Sequence, residues 1–146
     1  MLQLSGEEKF SQPLAEVWDC LEDTKFLADC LPGLESAEPD ESGVLLCRVR
    51  PGLSFFKGTL KVTISVRDQV PPNSMRIWVT SKGIGASAVV ETSVELSASD
   101  AGTTLSWIAE IVELGGLLKP IGRTLISAAA NKVITDGWAI FRDRLP

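Results

Sequence analysis

The sequence predicts an α+β fold: a curved antiparallel sheet of about seven strands around one long C-terminal helix, with two short helices after the first strand. Three observations carry this. From Gly33 to Leu114 apolar and polar residues alternate with a period of two, the pattern of strands buried on one face. At Gly115-Gly116 the period changes to that of a helix and stays so to the C-terminus. No strand alternates with a crossover helix, so a parallel sheet is excluded.

Residues 2 to 10 alternate and form the first strand, ended by Ser11-Gln12-Pro13. Pro13 suits the first turn of a helix, where an amide hydrogen has no partner to lose. Leu14, Val17, Trp18 and Leu21 then recur at helical spacing. After Asp23-Thr24 a second short helix turns Phe26, Leu27, Cys30 and Leu31 inward and stops at Pro32-Gly33. Farther on, Phe56, Leu60, Val62, Ile64 and Val66 share one face, and Lys57, Thr59, Lys61, Thr63, Ser65 and Arg67 the other.

Pro71-Pro72-Asn73-Ser74 turns the chain into a strand with Met75, Ile77 and Val79 on one side. Lys82-Gly83-Ile84-Gly85 turns it again. Ala86, Ala88, Val90, Thr92, Val94 and Leu96 face inward, Ser99-Asp100-Ala101-Gly102 makes the last hairpin, and Leu105, Trp107, Ala109 and Ile111 close the sheet. Residues 117 to 145 read as one helix with Leu118, Ile121, Leu125, Ala129 and Val133 along one stripe. A helix of that length reaches about 43 Å, enough to lie across the sheet. Pro120 is tolerated only in its first turn.

The 146 residues suffice for one domain spanning the chain, with a core large enough to need no staples. Histidine and tyrosine are both absent, which removes the usual neutral-pH acid or base, the commonest metal ligand and a common active-site phenol. Cys20, Cys30 and Cys47 form no C-x-x-C pair and complete no zinc site without histidine; they read as inert buried thiols. No basic start with an apolar core marks a signal peptide, and no apolar run is long enough to span a membrane. A cytoplasmic location is expected.

A net charge of −5 argues against nucleic acid. The charge is also uneven: residues 1–116 hold 9 Lys/Arg against 17 Asp/Glu, and residues 117–146 hold 5 against 2. The basic end is either a solvated helix face or a contact with an anionic membrane surface through Lys119, Arg123, Arg142 and Arg144. Such contact would be weak and transient, placing the protein peripherally at the inner face of the cell membrane.

No catalytic constellation stands out. Glu91 and Glu95 lie on a polar strand face; Glu110 and Glu113, near the end of the last strand, have no evident proton-relay partner. Gly83-Ile84-Gly85 and Gly115-Gly116 match no phosphate-binding pattern and read as turns. The informative feature is an inward inventory of small and large apolar residues. It packs a solid core or leaves an elongated apolar cavity, lined by Phe56, Leu60, Ile77, Val90, Trp107, Leu125 and Ala129. Trp107 would orient a ligand there by stacking or by its one N–H donor.

Three segments now bring in a family. Pro13 to Leu21, the block Phe26 to Ser36 with its Ala28-Asp29-Cys30-Leu31-Pro32-Gly33 turn, and the passage from Gly115-Gly116 to Leu125-Ile126 resemble the CoxG family of carbon monoxide dehydrogenase accessory proteins. That family is a branch of the START/Bet v 1-like helix-grip superfamily. The resemblance implies a non-catalytic accessory protein of a molybdenum hydroxylase such as carbon monoxide dehydrogenase. Its role would be to recruit the enzyme to the membrane or to carry a lipophilic molecule, a quinone, that takes its electrons. Some relatives have a hydrophobic C-terminal extension; this chain stops at Pro146, which favours a soluble or loosely associated form. No catalytic residue, metal or cofactor is expected beyond a bound lipophilic ligand. Two other classes stay open: a helix-grip cyclase or dehydratase with polar groups inside a cavity, and an adaptor that docks a dehydrogenase and binds no ligand.

Overall fold

The computed structural model describes residues 2–41, 44–52, 58–83 and 85–146. In chain order these form β1 (Leu2–Phe10), α1 (Leu14–Glu22), α2 (Thr24–Asp29), β2 (Leu34–Pro39), β3 (Leu45–Val49), β4 (Leu60–Val70), β5 (Ser74–Gly83), β6 (Ala86–Ser99), β7 (Gly102–Gly116) and α3 (Arg123–Arg144). The strands make one antiparallel sheet in the order β1-β7-β6-β5-β4-β3-β2. Strands β1 and β2, neighbours in sequence, are therefore its two edges. The chain between them must cross the sheet, a distance of about 29 Å at the usual strand spacing. Helices α1 and α2 make that crossing and cover one face as they do so.

Local chemistry sets the crossing. Pro13 caps α1, its carbonyl accepting from the amides of Glu16 and Val17 at 3.1 and 3.2 Å. Val17, Trp18 and Leu21 are buried. The Asp23 carboxylate accepts from the amides of Lys25 and Phe26, which starts α2 at once. The turn after α2 depends on Gly33, whose φ of +80° and close approach to the Arg50 carbonyl leave no room for a Cβ. Ala28, fully buried, and Cys30, whose Sγ donates to the Phe26 carbonyl, complete the reason for that block's spelling.

The pairing register fixes one inner face. Ile64 faces Leu45 and Val79, Val66 faces Ile77, and Met75 faces Val94. Val94 faces Trp107, which faces Gly6. These sets agree with the period-two reading of β4 to β7. A bulge at Val89/Val90 absorbs one residue of β7, so that Val90 faces Ile111 and Ala88 faces Leu114. Phe56, expected on the β4 face, lies outside the described residues.

The C-terminal helix departs from expectation in length and phase. It has 22 residues rather than 29 and begins after Gly122, which is extended. Residues 117–121 form a turn in which the amides of Leu118 and Lys119 donate to the carbonyls of Gly115 and Gly116. Pro120 thus precedes the helix instead of occupying its first turn. The buried stripe is Ile126, Trp138, Phe141 and Leu145, whereas Leu125 is 46% exposed and Ala129 and Val133 are half-buried. Phe141 selects this phase: its ring meets those of Phe10, Phe26 and Trp138 at 5.3 to 5.5 Å.

Candidate apolar groove

Cover over the inner face is uneven. Under α1, α2 and the C-terminal half of α3, the inward residues Ile64, Met75, Val94 and Leu105 are at most 2% exposed. Toward the opposite strand ends the same face holds Leu60, Val79, Ala88, Val90 and Leu114, all half-buried. On α3, Ala129, Ala130, Val133 and Ile134 are also half-buried and mostly small. Val62, Ala86 and Ile111 on the same half are buried, so cover there is partial, and the half-buried side chains outline a candidate apolar groove. A pocket of about 290 Å³ adjoins that end, lined by Leu2, Ile111, Leu114, Ile121 and Ile126 with Lys119, Arg123 and Glu113 at its polar side.

Trp107 sits between the two ends and is 4% exposed. A Cβ on Gly6 would come within 2.7 Å of its six-membered ring, so the glycine opposite it in β1 makes room for the indole. Its Nε1 is buried with no hydrogen-bond partner among the described residues. A buried donor left unpaired costs about 1–3 kcal/mol, which a ligand carbonyl would recover.

Of the sequence-predicted lining residues, Leu60, Ile77, Val90 and Trp107 share the inner face. Ile77 and Trp107 are buried in it, and Leu60 and Val90 form its half-open part. Ala129 reaches the groove's side of α3, while Leu125 faces solvent because the helix begins later and is rotated by about one residue. Val79 and Ala88 read as inward from sequence without being assigned to the lining, and Leu114 was not singled out; their partial exposure depends on what fails to cover them.

The four basic residues expected on one surface are split. Lys119 and Arg123 flank the start of α3, while Arg142 and Arg144 end it; nineteen residues of helix separate Arg123 from Arg142 by about 28 Å. Arg142 is also engaged: its guanidinium pairs with Glu8 at 2.9 Å, donates to the Lys9 carbonyl and lies over the Phe10 ring. Glu8 projects from the inner face of β1, so this ion pair ties helix to sheet.

Polar groups in the groove are few. Ser81 donates to the Ala88 carbonyl at the groove end, while Thr103, buried at the opposite end of β7, donates to the Gln12 carbonyl. Glu91 lies on the other face, paired with Arg76 at 2.6 Å, and Glu110 shares that face opposite Glu91. Among the described residues no cluster of acidic and cysteine side chains could hold a metal. Burial raises all three thiols, Cys30 to about 12 despite the opposing charge of Arg144. Cys30 is expected to resist a thiolate-specific reagent at pH 8 in the native protein and to react after urea unfolding. The unfolded thiol loses its proton first, so these groups make stability fall as pH rises above about 9. Equal labelling of Cys30 before and after unfolding would contradict this environment.

No helix among the described residues is long and apolar enough to cross a membrane. No curated protein is similar to the chain. Solved structures share its fold: a conserved protein from Geobacillus kaustophilus has a TM-score of 0.87 at 24% identity, over 99% of this chain and 95% of that one. A START superfamily protein from Mycobacterium smegmatis superposes with a TM-score of 0.70 at 10% identity, covering 98% and 96%. XoxI from Bacillus cereus does so with 0.71 at 10%, covering 99% and 96%. The helix-grip architecture expected from the Pro13 to Ser36 segments is thereby established. The model of the carbon monoxide dehydrogenase CoxG family matches residues 6–145, and the chain belongs to that family of accessory subunits.

Proposed function

We propose that this protein is a non-catalytic accessory factor of a carbon monoxide dehydrogenase or related molybdenum hydroxylase. It binds a lipophilic acceptor of the quinone class in the groove and links the enzyme to the inner face of the membrane. The observation that carries this reading is the half-covered apolar inner face, with Leu60, Val79, Ala88 and Val90 on the sheet and Ala129 on the helix. A solid core would bury these side chains as fully as Met75 and Val94.

A flat ring would lie between sheet and helix, and the unpaired Nε1 of Trp107, which lies against Gly6 of β1, would become a donor for a ring carbonyl on a shift of the indole. The isoprenoid chain would run past Leu114 and Ile111 toward the pocket at the groove's end. Glu8, on the inner face of β1, is held by Arg142 at 2.9 Å.

The test is native mass spectrometry of the protein purified from its own cells, followed by organic extraction. A co-purifying quinone is expected. Trp107→Phe should weaken binding of a soluble short-chain naphthoquinone by up to about ten-fold, the worth of one hydrogen bond. A protein that carries nothing and binds no quinone, yet captures the dehydrogenase, would make it a ligand-free adaptor.

A further inference from the structure

We propose that residues 117–125, at the open end of the groove, form a preformed tip that docks on an anionic lipid bilayer by inserting Leu117 and Leu125, with the cations Lys119 and Arg123 between them in the chain. This deepens the proposed function by naming the surface through which a lipophilic cargo would pass, and it rests on that reading only for its purpose.

The apolar part is Leu117, 61% exposed, and Leu125, 46% exposed, with Leu118 and Ile121 half-buried between them. The other large exposed apolar residues, Leu46, Val70 and Ile108, stand on separate strands. Leu117 and Leu125 stand at the two ends of the segment that leads into α3, and their exposure to water is unfavourable.

The tip is also held in shape. The Leu117 amide donates to the Gly85 carbonyl at 2.9 Å and that of Ile121 to Leu118 at 3.2 Å. Gly116 has a φ of +59°, and a Cβ there would collide with the Gly85 carbonyl. A surface already ordered loses little entropy on docking.

Charge selects the occupant. No carboxylate occurs between Glu113 and Asp136, in a chain whose first 116 residues carry 17. Lys119 and Arg123 have no ion-pair partner among the described residues, whereas Lys132 is tied to Asp136 at 2.7 Å and Arg142 to Glu8. Unpaired cations flanked by exposed leucines are the composition of an interfacial element, with the apolar side chains in the acyl boundary and the cations at lipid phosphates.

Position gives the surface its use. Leu117 is bonded to the β5–β6 turn, and the strands ending there carry the half-buried Ala88 and Leu114 of the groove. Arg123, Lys119 and Ile121 line the pocket at that end. Docking the tip brings the mouth to the lipid.

Flotation with phosphatidylglycerol and phosphatidylcholine vesicles at low and high salt tests this. Wild type is expected to float with the anionic vesicles at low salt and to be released by high salt. Lys119→Glu with Arg123→Glu should lower partitioning roughly 20-fold or more, at about five-fold per cation. Leu117→Ser with Leu125→Ser should lower it by about ten-fold. The control, Lys25→Glu with Arg48→Glu, changes net charge equally on exposed sites of α2 and β3 and should lower it far less. Each variant is checked for wild-type melting, expected unchanged. Absence of wild-type flotation, or equal loss in tip and control variants, overturns the tip. Flotation that follows the tip in a protein binding no quinone overturns the cargo and leaves the tip standing.

Discussion

Phe141→Ala is expected to destabilise the protein by about 4 kcal/mol, lowering the melting temperature by roughly 10–15 °C. The side chain is 1% exposed and meets three other rings, Phe10 from β1, Phe26 from α2 and Trp138 from its own helix. Truncation removes its transfer energy and leaves a cavity where three elements meet, one that none can fill without moving. Each edge-on ring contact adds about 0.5–1.5 kcal/mol to that loss. Leu125→Ala, on the solvent side of the same helix, should stay within about 0.5 kcal/mol. Urea titration followed by circular dichroism measures both. If Leu125→Ala were the more damaging, the buried face of α3 would have to be reassigned.

That contrast marks where the sequence was legible. A strand has two faces, so alternation decides between them, and Met75, Ile77 and Val79 or Leu105, Trp107 and Ala109 are unambiguous. A helix must also be given a phase. Here Leu125-Ile126 and Ala128-Ala129-Ala130, followed by Val133-Ile134, make adjacent rows equally apolar. The row through Leu125 and the row through Ile126 differ by about 100° and cannot be told apart from composition. What chooses is distant: Phe10, Phe26 and the Glu8 carboxylate waiting for Arg142.

The start of the helix was misread for a related reason. Leu117, Leu118 and Ile121 fit helical spacing, but the Leu117 amide is taken by the Gly85 carbonyl, a contact 32 residues back that no local pattern announces. The groove was half legible. Parity identified its wall; only the limited reach of α1, α2 and α3 over the sheet determines which part of the wall stays open.

Val90→Trp is expected to abolish most ligand binding, by about 100-fold, while changing stability by less than about 1.5 kcal/mol. Val90 lies on the inner face between Val79 of β5 and Ile111 of β7, and it is half-buried. A half-covered face requires that an indole there extend into the groove rather than into packed atoms. It would occupy the volume that a quinone ring needs. The same change at Val94, two inward positions along β6 and 1% exposed, has no such space and should cost about 1–3 kcal/mol or more through overpacking. Titration calorimetry with a short-chain naphthoquinone and thermal melts of the two variants separate the outcomes. Equal destabilisation would mean that the inner face is closed at Val90 as at Val94, and the groove would be abandoned. Wild-type stability with wild-type affinity would mean that the ligand sits elsewhere, with the pocket beside Ile121 and Ile126 the next place to probe. Loss of affinity with stability intact is the result that a half-covered apolar face requires.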